Sequence, residues 1–254
     1  MISKILKNRL DEHNIEIKEI IENISLENER NISIFAYTSQ MDGIGNRMSD
    51  LDVYVIAETI PTDEKRFSRY NDCKSRIDKI NGLVIDVEYW KMETICKMIE
   101  SRSYIRDVSK MKVLCRLLKG DIILGENIGT QLKEKIKILE INKTVAEYFQ
   151  GMASQEYDDA SKMFGGGNYF SAINCARKSL DYIIAAYSAK EGISILNLKW
   201  IPQILLNNEG FGDKNILKIY YNMHYDKIMI ENIKDKAEEL LRIVSDVMFD
   251  ISCV

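Results

Sequence analysis

Residues 32–56 read ISIFAYTSQMDGIGNRMSDLDVYVI. Two apolar runs, residues 32–37 and 51–56, flank a polar turn containing Gly43 and Gly45, the pattern of a strand, a turn and a second strand. Asp50 and Asp52 stand two apart at the head of the second run, and the two-residue period of a strand puts both carboxylates on one face. Carboxylates held that close on rigid backbone repel each other and require a compensating charge. A divalent cation suits them, since Mg²⁺ takes one or two protein carboxylates and completes its octahedron with water and substrate phosphates. Thr38 and Ser39 end the first run, and the glycines let the connecting backbone approach a phosphate closely.

Outward from this stretch, 254 residues suffice for one large or two modest domains with a sizeable core. A hydrophobic content of 46% beside 29% charged residues is that of a soluble globular chain. The net charge of −4 is spread over interspersed acids and bases, so no basic face points to a nucleic-acid partner. Cys73, Cys96, Cys115, Cys175 and Cys253 lack metal-ligand spacing and read as reduced thiols. That usage, with a charged N-terminus lacking an apolar leader, predicts a cytoplasmic location. No uncharged run is long enough to span a bilayer, so no membrane association is expected. Histidine-based metal or triad chemistry has only His13 and His224 to work with.

In chain order, Ile2, Ile5, Leu6 and Leu10, then Ile17, Ile20, Ile21 and Ile24, make two helical stripes with a break at Asn14. Asn31 is expected to open the first strand of the quoted stretch. Residues 64–80 read as a charged helix with Phe67, Tyr70, Cys73 and Ile77 inward, and Asn81-Gly82 as its C-cap. Residues 83–90 read as a strand that places Val84, Asp86 and Glu88 on one face. Helical periodicity returns over 92–118, followed by Gly120-Asp121-Ile122-Ile123-Leu124-Gly125, a short apolar run between glycines. From Glu126 onward the pattern is helical only. Gly165-Gly166-Gly167 lacks the Lys-Ser or Lys-Thr of a phosphate loop and reads as an interhelical turn with Asn168 as the next N-cap.

Ser39, the turn through Gly43, Gly45 and Asn46, and Ser49-Asp50-Leu51-Asp52 together resemble the signature of the DNA polymerase beta-like nucleotidyltransferases, a Gly-Ser pair followed at a short interval by Asp-x-Asp. Within that superfamily the chain looks most like the small bacterial aminoglycoside (antibiotic) nucleotidyltransferases. Thr38 stands where the family has glycine, a departure expected to narrow the backbone's approach to the nucleotide. The resemblance implies an α/β (α+β) nucleotidyltransferase domain with a short mixed sheet over residues 1–125, followed by an all-α helical-bundle, substrate-binding domain over 126–254. Weaker likeness in the second half rests on residues 172–186 and on Lys199-Trp200, while the Arg-x(4–6)-His motif of related ribonuclease-type helical domains is absent.

The implied activity is Mg²⁺-dependent transfer of a nucleoside monophosphate, AMP from ATP, to a hydroxyl of a small molecule such as an aminoglycoside, with release of pyrophosphate. Asp50 and Asp52 match the metal-binding pair, and Asp86 matches a third carboxylate that is either a metal ligand or the general base. Glu88 is the reserve acid/base. The nucleotide-binding set is Thr38, Ser39, Arg47 and Ser49, with Lys178 and Lys199 as phosphate contacts from the helical half. A homodimer is a reasonable assembly on the same resemblance. The alternative acceptors are a protein side chain or an RNA end, as in antitoxin-type enzymes, and the alternative to an enzyme is a degenerate nucleotide-binding or interaction module.

Overall fold

The computed structural model describes residues 2–24, 32–61, 67–70, 73–193, 196–207 and 214–252. They form two compact units, residues 1–141 and 142–254. The first opens with helices α1 (Lys4–Asp11) and α2 (Ile17–Ile24), separated by a turn in which Asn14 has a φ of 52°. Ser3 caps α1, its hydroxyl accepting from the Leu6 N–H at 3.2 Å. Strands β1 (Ser33–Tyr37), β2 (Leu51–Ala57), β3 (Phe67–Tyr70), β4 (Cys73–Ile80) and β5 (Leu83–Lys91) follow. Helices α3 (Met92–Glu100) and α4 (Val108–Lys119), strand β6 (Asp121–Leu124) and helix α5 (Glu126–Lys137) complete the unit. Asn31 lies outside the described residues.

The six strands make one mixed sheet in the order β3-β4-β5-β2-β1-β6, in which β2 and β5 are parallel and the other neighbours antiparallel. Alternation sorts the two faces. Ile34, Ala36, Leu51, Val53, Val55, Leu83, Ile85 and Val87 pack with Leu6, Leu10, Ile20 and Ile24 of α1 and α2. Burying that many branched side chains is the main driving force for docking the two helices on this face. The residues between them in sequence, Asp52 and Tyr54 on β2 and Asp86 and Glu88 on β5, therefore belong to the opposite face.

The helix expected over residues 64–80 is not formed. Residues 67–70 and 73–80 are strands, and 64–66 and 71–72 lie outside the described residues. Asn81 and Gly82 have φ of 45° and 87°, and Ile80 pairs directly with Leu83. Two successive positive-φ residues make a hairpin turn rather than a helix cap. Asn-Gly set between two apolar residues was the signal for it, and the 3.6-residue spacing of a few apolar side chains obscured it. Pairing with β5 along its length then outweighs the helical propensity of the lysines and arginines.

The units divide after Ile141, beyond the boundary expected at Gly125, because α5 is laid onto the sheet. Gly125 has a φ of 70°, and a Cβ there would lie 2.0 Å from the Ile32 carbonyl oxygen, so only glycine allows this approach. Lys133 of α5 also donates to the Gly120 carbonyl at 2.5 Å. The second unit is helical: α6 (Ile141–Gly165), α7 (Tyr169–Lys190), α8 (Ile201–Asn207), α9 (Lys214–Tyr225) and α10 (Ile233–Ser252). Asn168 caps α7 by accepting from the Ser171 N–H at 3.3 Å, as the triple-glycine turn led one to expect. Ile173, Ala176, Leu180, Ile183 and Ile184 of α7 and Ala237, Leu240 and Val244 of α10 are buried, and the Ser179 hydroxyl donates to the Ala153 carbonyl at 2.7 Å. Cys73 and Cys115 are buried thiols, and Cys96 and Cys175 are free and partly covered. Among the described residues no helix is long and apolar enough to cross a membrane.

Candidate active site

The turn after β1 is built from short polar contacts. Residues Ser39–Asp42 form one turn of 3-10 helix, and the N–H groups of Ile44 and Gly45 return to the Ser39 carbonyl at 3.3 and 3.0 Å. Ser39 Oγ donates to Ser49 Oγ at 3.0 Å, and Ser49 Oγ accepts from the Asn46 N–H at 2.9 Å. From the other side, the 2% exposed Arg9 donates through Nη1 to the Arg47 carbonyl at 2.9 Å and through Nη2 to the Ser49 carbonyl at 2.5 Å. One guanidinium on α1 thus fixes both ends of the segment leading to Asp50. At Gly45 an added Cβ would stand 2.4 Å from the Gln40 nitrogen and 2.6 Å from Ser39 Oγ. Gly45 packs so closely against Gln40 and Ser39 that no side chain fits there without the turn shifting. Thr38 is fully buried, and its Oγ1 has no hydrogen-bond partner among the described residues, so its side chain presents nothing to a ligand.

Of the three aspartates, Asp52 and Asp86 are brought together. The parallel pairing of β2 and β5 sets Asp52 beside Asp86 and Tyr54 beside Glu88. Asp50 is exposed in the segment before β2, and among the described residues no three His, Cys, Asp or Glu side chains group closely enough to hold an ion alone. Glu88 is 3% exposed and accepts from the Trp90 indole N–H at 2.9 Å. Asp86 is only partly covered, so of the two acids on β5 it is the more accessible.

Asp52 faces α4. Arg116 Nη1 lies 2.5 Å from Asp52 Oδ1 and donates to the Tyr54 hydroxyl at 2.9 Å, while its guanidinium lies 5.1 Å from the centre of the Tyr37 ring. The Tyr37 hydroxyl donates to Asp42, which also pairs with Lys119 one turn beyond Arg116. Burial raises Asp52 from the usual 3.8 to about 6; Arg116 and Lys112 oppose that shift, and Asp86 and Glu88 reinforce it. Burial likewise raises the Tyr54 hydroxyl far above its ordinary range, so it stays protonated. The site is a charge-matched layer between β2, β5 and α4.

Sequence reasoning named Ser39, Ser49, Asp50, Asp52, Asp86 and Glu88, and did not name Arg9, Tyr37, Asp42, Tyr54, Arg116 and Lys119, which the fold brings to the same turn and sheet face. The basic residues of α4 were visible only as a helix end before Gly120. Arg47 is exposed at the turn's rim. In the second unit, Lys178 is an exposed side chain 3.5 Å from Glu156, and Lys199 lies over the Trp200 ring at 5.1 Å.

No family model and no curated protein matches the chain. Among solved structures it is similar to a nucleotidyltransferase-like protein from Exiguobacterium sibiricum, with a TM-score of 0.52 and 12% identity over 92% of this chain and 73% of that one. The chain therefore shares the fold of that nucleotidyltransferase-like protein, with an α/β domain followed by a helical region. Identity that low carries the fold, and the roles of individual residues have to be argued from their own chemistry.

Proposed function

We propose that this chain transfers a nucleoside monophosphate, AMP from ATP, to a hydroxyl of a small polar acceptor of the aminoglycoside kind, in a Mg²⁺-dependent reaction. The observation that carries the reading is the side-by-side placement of Asp52 and Asp86 on the sheet that also carries the Ser39–Gly45 turn. Two adjacent carboxylates match what Mg²⁺ takes from a protein, and Gly45 lets the turn fold tightly against Ser39 and Gln40, which fixes the position of the Ser39 hydroxyl. Asp52 and Asp86 would hold the ion, with Asp50 at the rim. When bound, it supplies charge neutralisation to the triphosphate.

The chain's own residues position the reactants. Ser39 would turn its one hydroxyl proton from Ser49 Oγ to the terminal phosphates, and Arg9 keeps the turn in register by fixing the backbone on both sides of Met48. The acceptor oxygen bonds to the α-phosphorus as the bond from that phosphorus to the bridging oxygen breaks. Pyrophosphate leaves with that electron pair, and the hydroxyl proton passes to a carboxylate, for which Asp86 is better exposed than Glu88. Lys178 and Lys199 are proposed as nucleotide-binding residues, and the helical unit as the acceptor's binding domain. A homodimer and a cytoplasmic location complete the reading.

The test is calorimetric titration of ATP, GTP, CTP and UTP, with and without Mg²⁺, into the wild type and Asp52→Asn. Mg²⁺-dependent binding of one triphosphate, lost in the variant, is expected; no binding of any triphosphate would sink the reading. A second reading, a nucleotide-binding module without turnover, is favoured by the Arg116 charge already resting on Asp52. Pyrophosphate release in the presence of a panel of aminoglycosides, proteins and RNA ends separates the two and names the acceptor.

A further inference from the structure

The carboxylate proposed to hold a cation already has one. Arg116 and Asp52 meet at 2.5 Å with side chains only 18% and 13% exposed, so this is not a solvent-screened surface pair. A guanidinium and a divalent ion cannot share the Asp52 carboxylate without strong mutual repulsion at low dielectric. Loading the site therefore requires Arg116 to give ground.

The shape of the Arg116 contacts says where it can go. Among the described residues its hydrogen bonds are made by Nη1, to Asp52 and to Tyr54. Nε and Nη2 make no hydrogen bond among the described residues, and the side chain keeps 18% of its surface exposed. A guanidinium held by one nitrogen, with the rest of its fork open, is suited to bidentate capture of a phosphate. The Arg116 guanidinium lies over the Tyr37 ring, 5.1 Å from its centre, and Tyr37 is the last residue of the strand that leads into the Ser39 turn.

We propose that Arg116 is a displaceable internal cation. It neutralises Asp52 while the site is empty, and passes to the triphosphate when metal and nucleotide enter together. This rests on the nucleotidyl-transfer reading above and adds to it a residue and a binding order. A free divalent ion has to evict Arg116 with nothing to receive it, and binds weakly. A metal–triphosphate pair brings the receiving anion with it, and binds well.

The experiment titrates MnCl₂ alone, and each of the four nucleoside triphosphates with MgCl₂, into wild type, Arg116→Met and Arg116→Lys, with circular dichroism as a check on folding. Arg116→Met is expected to bind Mn²⁺ alone at least tenfold more tightly than wild type, and the Mg²⁺–triphosphate at least tenfold more weakly. Arg116→Lys keeps the charge but has no fork, and is expected to lose at least fivefold in triphosphate affinity even if the methionine variant does not fold. Wild type binding a Mg²⁺–triphosphate while both variants match it in that affinity overturns the displacement idea and leaves the parent reading standing. Wild type binding no triphosphate overturns both.

Discussion

At Thr38 a hydroxyl is enclosed on every side and bonded to nothing among the described residues. A buried unsatisfied polar atom costs about 1–3 kcal/mol, so Thr38→Val, which keeps the shape, is expected to stabilise the protein by about 1 kcal/mol in urea denaturation. A loss of stability would mean that the hydroxyl has a partner. Gly45 is the opposite case: the Cβ of Gly45→Ala would lie 2.4 Å from a backbone nitrogen, so the turn itself must shift. Triphosphate affinity should fall at least tenfold by calorimetry, equivalent to about 1.4 kcal/mol, and unchanged affinity would separate the turn from the ligand. Asp52 gives a pH signature. Its carboxyl holds a proton up to about 6 when folded, against 3.8 normally. Between those values the folded state binds more protons, so this contribution to stability is full below 3.8 and is lost as pH rises through about 6. The loss is about 3 kcal/mol at most. Metal-free wild type should therefore lose stability relative to Asp52→Asn from pH 4 to pH 7, followed by urea midpoints, and a gain across that range would reverse the assignment.

Among elements, α1 and α4 matter more to the site than their distance in sequence suggests. Helix α1 contributes apolar residues to one face of the sheet, and from the same helix Arg9 reaches the carbonyls of Arg47 and Ser49. Arg9→Met keeps much of the stem and removes both bonds, leaving two carbonyls to find new donors. A loss of about 2–4 kcal/mol is expected in thermal or urea unfolding, together with weaker triphosphate binding. If stability falls and binding does not, the anchored segment is structural only. Helix α4 brings Arg116 to Asp52 and Lys119 to Asp42, so its last two turns fasten β2 and the turn after β1 at once. The β4–β5 hairpin extends the sheet on the side away from the turn, which leaves β5 internal and Asp86 braced by strands on both sides.

In the whole molecule, the apolar cluster under the sheet is, among the described residues, drawn from the first unit. Residues 1–141 produced alone are therefore expected to unfold in one cooperative transition by circular dichroism, and a broad, non-cooperative loss of signal would show that this core is insufficient. What the sequence by itself determined was whatever has a short period or a local chemical pattern. The two strands and turn of residues 32–57, the helical stripes of α1 and α2 and the Asn168 cap are all of this kind. Tertiary structure alone decided the rest. Whether residues 73–80 coil or extend depended on β5 being there to pair with. The unit boundary depended on α5 finding the sheet. Arg116 and Asp52 are 64 positions apart, and no periodicity in a chain encodes which distant guanidinium will be packed against a given carboxylate. Local patterns fix where a side chain points along its own element, whereas its charge partner is fixed by which elements pack together, and that is settled by the burial of the core as a whole.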